Sequence, residues 1–193
     1  MLDEAVRKAM ARWPNVPDVY GWLRLDRRGQ WLIKDETIAN ATVRDFISRN
    51  YLRTDDGAYA FQNGPQRVFV ELDYAPWIVS LQPNGELRLH TGVTCGVPKA
   101  AWMDEAGALL LEVDDTVALL DDRDLGAFSD WLVAPDGAQL DEARAEAAVD
   151  ALAEGKDAGV ALRINGVPLP LKRVSTSDVA TQFNFVAAPQ EPA

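Results

Sequence analysis

The sequence predicts an α+β protein of two related units, each a helix packed on a small antiparallel sheet of hairpins. Short apolar runs alternate with Asn-Gly and proline-containing turns, a pattern typical of hairpins. Other segments place apolar residues at three- and four-residue steps, which is typical of amphipathic helices. The order turn, helix, strand, Asn-Gly, strand also occurs twice along the 193 residues.

The first elements are a helix and a hairpin. Residues 2–12 carry a narrow apolar stripe at helical spacing, and Pro14 ends it, so we expect an N-terminal helix within residues 1–15. From residue 19 to residue 33 the apolar side chains fall in two short aromatic-rich runs. The polar residues 26–29 between these runs predict a hairpin turn.

A second helix and several strands follow. Asn40 or Thr42 is suited to cap this helix, whose apolar stripe runs from Val43 to Tyr51, and we expect the helix to end near Thr54. Between residues 58 and 90, strand-like runs are separated by strong turn signals. These runs predict an antiparallel meander.

The second half repeats this mixture of hairpins and helices. Pro168 and Pro170 lack the N–H that a strand needs on both sides, so we expect their strand at a sheet edge. The predicted elements are a hairpin over 100–113, a short helix near 125–132, an Ala-rich acidic helix over 140–154 and a hairpin over 160–171 with Asn165-Gly166 in its turn.

Two stretches of sequence echo each other and suggest the domain organisation. GAYAFQNG at 57–64 and GVALRING at 159–166 share both glycines and the asparagine at an offset of 102. LDRRGQWLI at 25–33 also resembles LDDRDLGAFSDWLV at 120–133. We therefore expect an N-terminal helix over 1–15, a first unit over 16–96, a second unit over 97–186 and a flexible tail over 187–193.

Charge is distributed unevenly along the chain. Residues 1–96 hold 12 acidic and 12 basic side chains, whereas residues 97–193 hold 18 acidic and 7 basic ones. Nucleic-acid binding requires a basic stripe, and the sequence offers only the short pair Arg27 and Arg28. We therefore expect neither nucleic acid nor an anionic membrane as a partner, and we interpret the acidic half as a solvated surface.

The sequence lacks the patterns typical of disulfide-bonded, secreted, membrane-spanning and cofactor-binding proteins. A single cysteine, Cys95, excludes an intramolecular disulfide, and no apolar run resembles a secretion signal or a membrane span, so we expect a cytoplasmic protein. Phosphate-binding glycine loops, dinucleotide fingerprints and zinc helices are missing from the sequence, and we expect no cofactor. The acidic residues Asp114, Asp115, Asp121, Asp122 and Asp124 do not follow the spacing of a calcium-binding loop, and we expect no metal.

Catalysis is not expected from the available nucleophiles. His90 and Cys95 are close enough in sequence to suggest a nucleophilic pair, but no neighbouring cation lowers the pKa of the thiol. A small buried side chain is the simpler interpretation of Cys95. The alternative that stays open is a hydrolase that uses Asp26, His90 or Asp122 as acid or base.

Polar side chains are densest in the first unit, near several tryptophans. Arginine forks beside aromatic rings are typical of pockets that recognise carboxylate or phosphate, whereas surface ion pairs are the plainer interpretation. The candidate ligand-binding residues are Trp22, Asp26, Arg27, Arg28, Arg49, Asn50, Asn63, Arg67 and His90.

Four longer runs also carry a resemblance: RRGQWLIKDETI, RVFVELDYAPWIV, LRLHTGVTCGVP and ALLLEVDDTVALLDDRDLGAFSDWL. Over residues 16–135 the chain resembles an uncharacterised bacterial family, a domain of unknown function. The resemblance implies a two-part α+β protein with repeated structural motifs and a link to signal transduction. It supplies no catalytic residue.

These observations favour a non-enzymatic sensor or adaptor. We expect it to bind a small anionic ligand or a peptide in a cleft between the two units. One alternative is the hydrolase described above. The other is a structural homodimer in which the predicted edge strand, residues 167–171, pairs with its copy.

Overall fold

The computed structural model describes residues 2–14, 16–114, 116–164 and 166–192, and it consists mainly of strands with few helices. Its contacts divide the chain into two compact units. The first comprises the described residues up to 76, residues 90–92 and the C-terminal segment from 184, and the second comprises residues 77–89 and 93–183. The predicted α+β class is therefore confirmed, whereas the prediction of a helix packed on an antiparallel sheet in each of two units is not.

The first unit contains a six-stranded mixed sheet. Its strand order is β3-β2-β1-β6-β5-β4, and all neighbours are antiparallel except β1 and β6, which run parallel. The elements are α1 (Glu4–Arg12), β1 (Val19–Leu25), β2 (Trp31–Ile33), β3 (Glu36–Thr37), α2 (Ala41–Arg49), β4 (Tyr51–Arg53), β5 (Tyr59–Asn63) and β6 (Gln66–Leu72).

Helix α2 begins where the sequence predicts and ends earlier. The Asn40 side chain accepts a hydrogen bond from Val43 N at 3.3 Å, which satisfies one of the free N–H groups at the helix start. The helix stops at Arg49, and the expected extension to Thr54 is wrong. Tyr51 instead starts β4 and pairs with Phe61, because its ring is buried in the sheet.

The second unit contains an eight-stranded mixed sheet of order β12-β13-β14-β9-β10-β11-β7-β8. Two neighbouring pairs are parallel, β7 with β11 and β9 with β14. The elements are β7 (Trp77–Leu81), β8 (Leu87–Leu89), β9 (Ala100–Met103), β10 (Leu109–Val113), β11 (Thr116–Leu120), a 3-10 segment (Asp122–Ala127), α3 (Phe128–Trp131), β12 (Leu132–Val133), α4 (Glu142–Ala153), β13 (Ala161–Ile164), β14 (Val167–Arg173), a second 3-10 segment (Thr176–Asp178) and α5 (Val179–Gln182).

The strand pairing corrects two expectations about the sheets. Neither sheet is purely antiparallel, since three pairs run parallel. The predicted meander over residues 58–90 is split after β6, because β7 pairs with β11 in the other sheet. Local turn signals determine each hairpin, but they do not determine which distant strand joins it.

β14 as a whole is not an edge strand, contrary to the expectation, but its prolines lie where only β13 pairs with it. β14 lies between β13 and β9, although β9 pairs with it only from Leu171 onward. Leu171 N donates to Val160 O at 3.2 Å, and backbone N–H groups alternate between the two sides of a strand. The backbone nitrogens of Pro168 and Pro170 therefore point away from β13, on the side where no hydrogen bond to β13 is lost. The homodimer through residues 167–171 stays a prediction.

The two sheets share a strand order and a register. β9, β10, β11, β12, β13 and β14 are connected and directed as β1 to β6 are, with the first strand parallel to the sixth. In each sheet three consecutive residues of the first strand face a partner on either side. The first of the three is Leu23, which faces Ile33 and Val70, in one sheet and Ala101, which faces Leu111 and Leu171, in the other.

This shared register does not follow the echo in the sequence. The strand pairing makes the turn at residues 26–30 equivalent to the turn at residues 104–108. The similarity in sequence instead matched residues 25–33 with residues 120–133. The strand pairing also relates Phe61 to Leu162, one residue short of the offset of 102. Asn165, part of that echo, lies outside the described residues.

The C-terminal segment packs against the first unit over part of its length. Leu72 N donates to Ala187 O at 2.8 Å and Val186 N donates to Gly57 O at 3.0 Å. Pro189 is also buried, so the predicted flexible tail over 187–193 is held at least to this residue. Within the described residues, the helices are too short and too polar to cross a bilayer.

Candidate functional site

An apolar groove opens on the first unit, between helix α2 and one end of the sheet. Its volume is about 430 Å³, within the range of roughly 300–1,000 Å³ found for ligand sites. We call it the Trp22 groove. Its lining residues are Val19, Trp22, Leu23, Ile33, Val43, Ile47, Phe61, Asn63, Gln66 and Val68.

Three large apolar side chains of the Trp22 groove are exposed. Trp22 is 51% exposed, Ile33 is 44% exposed and Val43 is 40% exposed. The Lys34 ammonium lies 3.8 Å from the centre of the Trp22 ring, a cation–π contact that leaves the charge at the groove's rim. The groove therefore offers apolar contact area together with one positive charge.

A tight turn shapes this rim. Lys34 and Asp35 connect β2 to β3 and both have positive φ, 47° and 71°. Such angles at both central residues are those of the hairpin turn that matches the twist of two antiparallel strands. The turn places the ammonium of Lys34 beside Trp22, while Asp35 pairs with Arg24 at 3.1 Å.

The structure brings only two of the nine predicted ligand-binding residues into this groove, Trp22 and Asn63. Asp26 instead stabilises its own turn, since its Oδ1 accepts hydrogen bonds from Arg28 N at 2.8 Å and Gln30 N at 2.7 Å. Both its backbone contacts are local, as expected of an aspartate in a turn.

The remaining arginines contact partners inside the first unit. The Arg27 guanidinium lies 4.1 Å from the centre of the Tyr74 ring. Arg49 contacts Asp3 at 3.4 Å. Arg67 donates two hydrogen bonds to the carboxylate of Asp18, at 2.7 and 3.0 Å, and this pairing raises the pKa of Arg67. These contacts agree with the plainer interpretation as ion pairs and stacking.

Asn50 and His90 lie in packed surroundings. The Asn50 side chain is fully buried and joins the start of α1 to the end of α2 through Asp3 and Phe46. His90 packs edge-on against Trp31, with ring centres 5.3 Å apart, and against Tyr51 at 5.8 Å. Burial raises the pKa of Tyr51 well above its usual value, so this phenol stays neutral.

The thiol of Cys95 has a structural partner and an unreactive environment. Its Sγ donates to Leu87 O at 3.3 Å. Partial burial raises the pKa of the Cys95 thiol above its ordinary value, and the nearby charge of Asp114 acts in the same direction. A catalytic thiolate needs the opposite shift, so these surroundings favour the interpretation of Cys95 as a small packed side chain.

The acidic residues considered for calcium act mainly as hydrogen-bond acceptors for nearby backbone. Asp121 accepts from Arg123 N at 3.0 Å and from Arg123 Nε at 2.8 Å, and Asp124 accepts from Leu81 N at 2.8 Å. Asp115 lies outside the described residues. Nowhere in the described part of the chain do three or more His, Cys, Asp or Glu side chains gather in a way suited to a metal ion.

Asp121 is expected to make the stability of the protein depend on acid pH. The hydrogen bonds from Arg123 lower the pKa of the Asp121 carboxyl below 3.8 in the folded state. Its stabilising contribution is therefore complete above that unfolded value and is lost as the pH falls through the folded pKa. Urea unfolding from about pH 6 to about pH 2 should show a smaller loss of stability for Asp121→Asn than for the native chain. Equal losses would contradict this role.

The sequence reasoning missed the apolar part of the Trp22 groove. Ile33 and Val43 are residue types that normally fill a core, so their positions in the sequence gave no reason to expect exposure. Val43 lies one helical turn before the buried Ile47, on the same face of α2, so the helical pattern predicts burial at Val43 as well.

Comparison with known proteins provides the family and the fold. A family model described as "Protein of unknown function (DUF2946)" matches residues 2–190. A DUF1285 family protein from Silicibacter pomeroyi DSS-3 has a similar solved structure, with a TM-score of 0.52, 18% identity, and coverage of 81% of this chain and 83% of that chain. No curated protein matches the chain.

A second solved structure, a DUF1285 family protein from Shewanella baltica OS155, matches with a TM-score of 0.42 and 15% identity over 56% of this chain and 90% of that chain. The first of these structures shows a shared fold and no more. The expectation of an uncharacterised domain is confirmed by the family match, which spans nearly all of the sequence. The chain belongs to the family of proteins of unknown function described as DUF2946.

Proposed function

We propose that the chain is a non-enzymatic binding module whose Trp22 groove holds an apolar segment of a partner protein. The observation that supports this most is the exposure of Trp22, Ile33 and Val43 around one apolar cavity. Folded monomers rarely leave large apolar side chains together in solvent unless the patch contacts something. Aromatic anchors in such patches supply much of the binding energy of protein interfaces.

An apolar segment suits the Trp22 groove better than the small anionic ligand expected from the sequence. Most of the residues that line the groove are apolar. Among the residues that the structure describes, Lys34 is the one cation at its rim. Arg27, Arg49 and Arg67, which were expected to hold an anion, already contact side chains of their own unit.

The proposal includes a relationship between the two units. Their shared strand order and register support a duplicated motif, as the family resemblance also implies. The proposed setting of the binding activity is bacterial signal transduction, and only the resemblance in the sequence supports that setting.

The dye 1-anilinonaphthalene-8-sulfonate, whose fluorescence rises in apolar sites, tests the groove directly. We expect the native protein to bind it and Val43→Asp to bind it at least about tenfold more weakly, a loss of about 1.4 kcal/mol. Val43 is the third residue of α2, where a new carboxylate favours the helix, so the thermal midpoint should not fall.

Val149→Asp is the matched control. Val149 is also 40% exposed, also lies on a helix, and lines a separate apolar cavity of about 260 Å³ in the second unit. Its substitution should leave dye affinity unchanged. The proposal fails if the dye does not bind to the native protein. It also fails if Val149→Asp weakens dye binding and Val43→Asp does not.

A further inference from the structure

We infer that the segment held by the Trp22 groove is an amphipathic α-helix that presents a carboxylate to Lys34. This inference rests on the proposed function and names the chemistry of the partner. It follows from comparing the two sheets position by position, and from the charge at the rim of the groove.

Positions that line the Trp22 groove have counterparts in the second sheet, and there they are covered. Ile33 is 44% exposed, whereas Leu111 at the same position of the register is fully buried. Asn63 is exposed, whereas its counterpart Ile164 is 5% exposed. The contrast is confined to the open part of the groove, because Leu23 and Phe61 are buried at 3% and 8%, as are their counterparts Ala101 and Leu162.

In the second unit, a helix belongs to the apolar cluster in which these positions are buried. Ala148 and Leu152 of α4 are buried in the same cluster as Leu111, Leu162 and the other sheet residues of that face. α4 is inserted between β12 and β13. The equivalent strands of the first unit, β4 and β5, are joined by the turn at residues 54–58 alone, so its sheet has α2 but no counterpart of α4.

The helix that covers the second sheet also shows the chemistry required of a partner. α4 presents small and branched apolar residues to the sheet and acidic residues elsewhere, and Asp141 caps its start through Arg144 N at 2.8 Å. An α-helix with one apolar stripe is the element that best fills a groove between a helix and a sheet.

Charge complementarity sets the second requirement. Among the described residues Lys34 forms no ion pair, while its neighbour Asp35 is paired with Arg24. The ammonium therefore lies against the ring of Trp22, a residue that lines the groove, with no ion-pair partner among the described residues. A partner helix gains affinity when it places Asp or Glu beside it, since opposite charges at an interface rim favour association and set its orientation.

A peptide with the sequence of residues 139–156, which contains α4, is a suitable probe. We expect the labelled peptide to bind the native full chain in fluorescence anisotropy and to displace the dye from the groove. Val43→Asp should weaken peptide binding at least about tenfold, and Val149→Asp should not. Lys34→Glu should weaken binding and remove most of its salt dependence between about 0.05 and 0.5 M NaCl. A peptide carrying Leu152→Glu should not bind.

The outcomes separate this inference from the proposed function. If the dye binds in the groove but the peptide does not bind at about 1 mM, the groove accepts apolar ligands and the inference of a helix is wrong. Peptide binding that Val43→Asp leaves unchanged also overturns it, because the peptide would then lie elsewhere, for instance in place of α4. If neither probe binds, the proposed function fails as well.

Discussion

Asp104→Ala is expected to lower the free energy of unfolding by about 3 kcal/mol, because a buried carboxylate that accepts several hydrogen bonds would be lost. Asp104 is 1% exposed, and its Oδ1 accepts from Ala106 N at 2.9 Å and from Ala108 N at 2.7 Å. Its Oδ2 accepts from the hydroxyl of Thr176 at 3.1 Å. Alanine would leave all three donors without this acceptor, and Ala108, one of the three, is buried.

The first unit supplies a matched control for this prediction. Asp26 holds the same place in the same type of turn, and Gly29 and Gly107 both take the positive φ, 75° and 80°, that the turn requires. Asp26 is partly exposed, so water can replace its oxygens. Asp26→Ala should therefore cost only about 1 kcal/mol.

Urea unfolding of both variants measures the difference. Asp104→Asn provides a further comparison, since its amide oxygen can still accept from the two backbone N–H groups. The loss in free energy of unfolding for this variant should lie between the losses for the two alanine variants. Equal losses for Asp26→Ala and Asp104→Ala would show that the burial of the turn does not determine its contribution.

Local features of the fold follow from local sequence. The hairpin turn at residues 26–30 and the cap at Asn40 depend on residues a few positions apart, so the sequence predicts them well. The parallel pairing of β1 with β6 joins residues such as Leu23 and Val70 that are far apart in the chain. Nothing in the alternation of apolar residues identifies that partner, which is why both sheets were expected to be antiparallel.

The candidate site was harder to predict for a related reason. Polar residues were dense around Asp26 and Asn50 because turns and helix ends need hydrogen bonds, and density of this kind also resembles a binding site. Ile33 is exposed, whereas its counterpart Leu111 is buried in a cluster that includes Ala148 and Leu152 of α4. That difference exists only once the two sheets are compared in three dimensions.

Asn50→Ala is expected to lower the free energy of unfolding by about 2 to 3 kcal/mol, which would identify this predicted ligand-binding residue as a structural one. Asn50 is 0% exposed, its Oδ1 accepts from Asp3 N at 2.9 Å and its Nδ2 donates to Phe46 O at 2.9 Å. Both backbone groups would lose a buried partner, and α1 would lose its link to the end of α2.

Arg49→Ala is the control, since Arg49 precedes Asn50, was also predicted to bind a ligand and also contacts Asp3, but is exposed. An exposed ion pair contributes little, so Arg49→Ala should lower the free energy of unfolding by no more than about 0.5 kcal/mol. A double-mutant cycle with Asp3→Ala should give a coupling energy for Asn50 of about 1 kcal/mol or less, because the bond to Asp3 N uses the backbone and survives that substitution. If Asn50→Ala unfolds at the same urea concentration as the native chain, the side chain does not hold the two helices together, and its burial must be explained in another way.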